Sequence, residues 1–86
     1  MSEREKLLGK DTELRLEADN LKLQIKDRRA GLRDLLDPVE EPEDLDGQRI
    51  AMKAVEMAAL IHNLKRVNAK RSTIRDELGD QGAPRY

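Results

Sequence analysis

Apolar residues recur along this chain as two long helical stripes, with polar residues filling the positions between. In the first half Leu7, Leu14, Leu21 and Leu35 fall on a seven-residue spacing, with Arg28 in the missing turn, and Asp11, Ala18, Ile25 and Leu32 follow at an offset of four. These are the d and a positions of a heptad, the pattern of a helix that buries one narrow seam. Ser2 with Glu5 three residues on matches a capping box. Asp37-Pro38 marks the stop, because proline lacks the N–H a helix needs and disfavours helix at the residue before it. The spacing therefore predicts a helix over 2–36.

The second half repeats the pattern. Ile50, Met57, Leu64, Arg71 and Leu78 are seven apart, Leu60, Val67 and Ile74 take the complementary position, and Ala54 and Ile61 are expected to widen the stripe. Asp46 reads as an N-cap with Leu45 and Ile50 as a hydrophobic staple across it, and Gly79 as a left-handed C-cap. This predicts a helix over 46–78 and a flexible tail over 79–86. The loop between, 37–45, carries two prolines and no base, and it is too short to be a domain linker. The helices should fold back on each other. Pairing positions whose numbers sum to about 85 sets Leu35 against Ile50, Leu21 against Leu64, Ala18 against Val67 and Leu7 against Leu78. In that register Arg28 falls beside Glu56, and Arg71 between Glu13 and Glu17. The expected fold is all-α, an antiparallel two-helix coiled-coil hairpin forming one domain over 1–86, about 50 Å long.

Composition narrows the function classes. The 86 residues are 41% charged and 37% apolar, with no cysteine, one histidine and Tyr86 as the single aromatic, so the seam must be built from aliphatic side chains alone. Absent cysteine removes disulfides, thiolate zinc sites and cysteine nucleophiles, and one histidine does not build a multi-histidine metal site. No adequate set of acid, base and nucleophile can be assembled, so no enzyme activity, catalytic residue, metal, cofactor or small-molecule substrate is expected. The formal charge of −1 gives no net attraction to nucleic acid. No apolar window approaches a membrane span, and residues 1–6 lack a signal core, so a cytoplasmic protein with no membrane partner is expected. The small size suits an accessory protein of a bacterium or phage.

Several apolar residues fall off the stripes. Leu16, Leu23 and Ala30 recur seven apart at the f position, pointing away from the seam, and Ala51, Met52, Val55, Ala58 and Ala59 make residues 50–61 apolar nearly all round, with Lys53 and Glu56 the charged exceptions. Single leucines and alanines are ordinary on any surface. A two-helix seam of this size is marginal in water, however, and a helix that is apolar on several sides has several neighbours. These eight residues are the expected oligomer or partner interface. It would join hairpins into a four-helix or larger bundle, as a homo-oligomer or with another helical protein.

Two charged segments are candidates for contact. The tip acids Glu40, Glu41, Glu43 and Asp44, with Asp37 and Asp46, lack the spacing of a calcium loop and read first as a solvated turn beside a helix N-terminus. A long antiparallel hairpin with an acidic tip resembles in architecture the Gre and DksA/TraR families, which insert such a tip into bacterial RNA polymerase. That resemblance implies a transcription-machinery contact through the tip. The DksA/TraR hairpin accompanies a cysteine zinc finger, absent here, and no functional residue carries over. The basic run Lys65, Arg66, Lys70, Arg71 and Arg75 could line a nucleic-acid backbone, though no aromatic is placed to stack a base. In the expected register it faces Asp11, Glu13, Glu17 and Asp19, which would pair with it. His62 reads as a surface or interface residue, Ser72 and Thr73 as mid-helix hydroxyls bonding back to the backbone, and Gly31 as a site of close approach or a bend. The function expected is a non-enzymatic scaffold, adaptor or assembly factor working through self-association and protein–protein contact. The alternative is a nucleic-acid or transcription-machinery regulator.

Overall fold

A computed structural model describes residues 2–80 of the chain. Two helices, α1 (Glu3–Leu35) and α2 (Gly47–Asp80), pack antiparallel on each other, joined by a loop that holds one short 3-10 turn, Pro42–Asp44. The result is a helical hairpin, with no strand among the described residues. It measures 60 × 28 × 14 Å, so it is one helix thick.

The ends form as local chemistry dictates. The Ser2 hydroxyl accepts a hydrogen bond from the Glu5 N–H at 3.2 Å, which satisfies one of the orphan donors of the first turn. At the other end the Leu36 N–H donates to the carbonyls of Leu32 and Arg33, and Pro38 prevents a further turn. The Asp37 carboxylate then accepts from the Val39 N–H at 2.9 Å, an Asx turn that starts the reversal. Asp46 caps α2, its carboxylate accepting from the Arg49 N–H at 3.1 Å.

The seam holds Leu14, Ala18, Leu21 and Ile25 of α1 with Val67 and Ile74 of α2, and Leu7, Leu60, Leu64 and Leu78 pack half-buried against this core. Ala18 is 0% exposed. A methyl side chain at that point lets the helix axes approach, since interaxial distance follows the size of the contacting residues. Two cross-helix ion pairs report the register. Arg28 Nε lies 2.7 Å from Glu56 Oε2, and Arg71 Nε lies 3.2 Å from Asp11 Oδ1. Their residue numbers sum to 84 and 82, close to the expected pairing.

Several details differ from the reading of the sequence. α2 runs through Gly79 to Asp80 rather than stopping at Leu78, because glycine is tolerated in a helix at a cost of only about 1 kcal/mol and nothing at that point blocks the next hydrogen bond. The remainder of the expected tail, 81–86, lies outside the described residues. Arg71 takes Asp11 rather than Glu13 or Glu17, since Asp11 sits on the stripe itself, one turn from the Leu14 level. Ala54 is exposed, whereas Ile61 is half-buried as a widened stripe requires. Gly31 makes no close approach either, because a Cβ added there would meet nothing within 4 Å. Of the two mid-helix hydroxyls expected to bond back to the backbone, Thr73 does, donating to the Ala69 carbonyl at 3.2 Å, and Ser72, exposed, makes no such bond.

Candidate assembly surface

All eight residues singled out as interface candidates are exposed in the hairpin: Leu16, Leu23 and Ala30 on α1, and Ala51, Met52, Val55, Ala58 and Ala59 on α2. Each set lies on the side of its helix opposite the seam, so the two occupy opposite long edges of the molecule. The sets are not equivalent. On a helix, residues three and four positions away are the surface neighbours. For Leu16 these are Thr12, Glu13, Asp19 and Asn20, and for Leu23 they are Asp19, Asn20, Lys26 and Asp27. Ala30 is ringed by Lys26, Asp27, Arg33 and Asp34. The α1 leucines are 60% and 67% exposed, but each stands alone in a polar field.

Val55 is the opposite case. Its four neighbours are Ala51, Met52, Ala58 and Ala59, all apolar and all exposed, and Val55 itself is 70% exposed. The two charged residues of this stretch, Lys53 and Glu56, are both half-buried on the seam side, where Glu56 meets Arg28. Over residues 50–61 α2 therefore places its charges inward and a contiguous apolar face outward. A helix stable on its own against one neighbour does the reverse. The Arg28 contact with Glu56 is short but not aligned as a hydrogen bond, leaving Arg28 Nε without a hydrogen-bond acceptor among the described residues. Its Nη1 donates to Asp27 instead, at 2.9 Å.

Sequence reasoning passed over three further exposed apolar side chains, Leu8, Leu36 and Val39. Leu36 and Val39 sit at the tip. Leu36 directly follows a stripe leucine and Val39 sits between two prolines, so neither shows the helical periodicity by which the other candidates were found.

The charged segments stand free. Glu40, Glu41, Glu43 and Asp44 are exposed, and their carboxylates form no ion pair among the described residues. Lys65, Arg66, Lys70 and Arg75 are likewise exposed and form none. Of the α1 acids expected to neutralise the basic run, only Asp11 does so, and it takes Arg71. Lys10 and Lys70 rim a shallow open groove over Leu14 and Ile74, beside the seam near the free ends of the helices. His62 is exposed, on the same edge of α2 as Val55. Among the described residues no group of three or more His, Asp or Glu side chains is placed to hold a metal ion, and no helix is long and apolar enough to cross a membrane.

Comparison with known proteins adds no relative: no family model, no curated protein and no solved structure matches the chain.

Proposed function

We propose that the protein is a non-enzymatic helical hairpin that works by self-association and protein–protein contact, as a scaffold, adaptor or assembly factor. The observation that carries this reading is the inside-out stretch of α2. Lys53 and Glu56 turn toward the seam while Ala51, Met52, Val55, Ala58 and Ala59 face water. Alanine alone would be explained by helix propensity. Met52 and Val55 are not, and the valine is a poor helix former that gains nothing from exposure. Hairpins that meet through this face form a bundle of four or more helices, in which α2 has a neighbour on each apolar side. Sedimentation over a wide concentration range tests the reading: a mass that rises with concentration supports it, and a monomer at every concentration defeats its self-association half.

A second reading draws on the unpaired cations. Lys65, Arg66, Lys70 and Arg75 have no neutralising partner among the described residues, and they span about 15 Å of helix. A nucleic-acid contact there gives binding that falls steeply with salt. Retention of duplex or single-stranded nucleic acid, abolished by Lys65→Glu with Lys70→Glu, supports that regulator reading, and failure to bind either polymer removes it.

A further inference from the structure

The outer face of α2 has a charge layout that selects its occupant. Along the chain, the apolar patch is preceded by the tip acids, in the loop that leads into α2, and followed by the basic run. Residue 47, where α2 begins, lies about 12 Å along the axis from Val55, and Lys65 lies about 15 Å away in the other direction. The loop acids thus lie beyond one end of the patch and the basic run beyond the other. Neither set is neutralised within the hairpin among the described residues.

From this layout we infer that the occupant of the face is a second copy of this chain, with the two α2 helices antiparallel and crossing at Val55. The inference rests on the self-association reading above and specifies its geometry. In this pairing facing residues have numbers that sum to about 110. Ala51 faces Ala59, Met52 faces Ala58 and His62 faces Gln48, while Lys65 and Arg66 come to the loop end of the other copy's α2, the end that carries Glu43 and Asp44. A parallel pairing does the opposite, setting acid against acid and base against base, so the same charges that favour one orientation oppose the other. The three alanines leave room for the helices to approach, with Met52 and Val55 filling the space between. The interface is isologous: one patch, used by both partners, closes the pair and leaves the α1 edges outward. Leu16 and Leu23 take no part in it.

The chain has no cysteine, so single introduced cysteines report proximity without background. Under mild oxidation Ala51→Cys mixed with Ala59→Cys gives a disulfide between the two variants, while neither variant alone does so efficiently. Crosslinking of Ala51→Cys to itself means a parallel pair and overturns the inference. Val55→Glu raises the dissociation constant at least about tenfold, because it puts two like charges at the centre of a desolvated patch. Helix content by circular dichroism stays unchanged, since Val55 touches solvent in the hairpin.

The charges are tested by exchange. One variant carries Glu43→Lys and Asp44→Lys, the other Lys65→Glu and Arg66→Glu. Each alone should sediment as a monomer where the parent is paired, and an equimolar mixture should pair again, since both contacts in the mixed dimer are then of opposite sign. A mixture that stays monomeric overturns the charge pairing. A parent chain that is monomeric at every concentration removes self-association and this geometry together. An oligomer that survives Val55→Glu removes the geometry alone.

Discussion

The two ends of the hairpin are built differently. Toward the free ends of the helices, Leu14, Ala18, Leu21, Val67 and Ile74 form a buried core, with Leu7 and Leu78 packed against it. Toward the tip, no residue between Ile25 and Val67 is buried at all. The seam continues there through Leu32, Leu35, Ile50, Met57 and Leu60, but each remains half-exposed. Two causes are visible. At one end the fully buried Ala18 sits among leucines, valine and isoleucine, whereas at the other the half-buried Arg28, Lys53 and Glu56 take up seam-side surface beside the apolar residues. The apolar surface that the tip half does not bury in the seam reappears on the outer face of α2. One end of the hairpin buries a core, and the other leaves its apolar side chains half-exposed or exposed.

That contrast can be broken or sharpened by substitution. The largest effect is expected at the core end, where Leu21→Ala removes a buried side chain and lowers unfolding free energy by about 2–5 kcal/mol. Leu35→Ala at the tip, where the side chain is half-buried, should cost only about 1 kcal/mol. Chemical denaturation of the two variants checks the ratio, and equal losses would show that the ends are packed alike.

Next in size is the Arg71 and Asp11 pair, whose side chains are 14% and 22% exposed. Asp11→Ala leaves a guanidinium shielded from water without its carboxylate, at a cost of about 1–3 kcal/mol. Replacing both residues by leucine should recover most of that loss, since a matched apolar pair is often as stable as a shielded ion pair. A double variant as unstable as the single one would contradict this.

Smaller, and of opposite sign, is Gly31→Ala on the tip side. The added methyl meets nothing within 4 Å and the helix gains propensity, so the thermal midpoint should rise by the equivalent of about 0.5–1 kcal/mol. Smallest of all are Leu16→Glu and Leu23→Glu. Each should change hairpin stability by no more than about 0.5 kcal/mol and leave the sedimentation behaviour of the parent unchanged, in contrast to Val55→Glu on the other edge.

Much of this was readable from residues alone. Ser2 and Asp46 cap the helices through hydrogen bonds to nearby backbone and Pro38 stops α1 by lacking a donor, although the Glu5 carboxylate does not return the second bond of the capping box. The register was readable because the short loop fixes which turns of the two seven-residue stripes can face each other. Gly79 was misread because a glycine after a stripe leucine signals a cap only when something else stops the helix, and α2 continues through it. Arg71 takes Asp11, one of the four acids expected to face its run, rather than Glu13 or Glu17 that flank its level, because heptad lettering gives the facing turn but not how far a guanidinium leans along it. For the surface, the eight candidates were correctly placed outside the seam, yet they were grouped as one. The neighbours of Leu16 and of Val55 were in the sequence all along; grouping residues by spacing, rather than by what surrounds each, hid the difference.

The sequence by itself determined the helices, their caps and the line along which they meet, because periodicity and capping are properties of neighbouring residues. Only the tertiary structure decided how deep that line is buried at each end. Burial depends on what packs across the seam at each level, which is apolar around Ala18 and mixed with Arg28, Lys53 and Glu56 toward the tip. The same packing decided that the charges of residues 50–61 turn inward and the apolar side chains outward, since which face of α2 meets α1 is settled by the whole length of the seam and not by any one stretch of it.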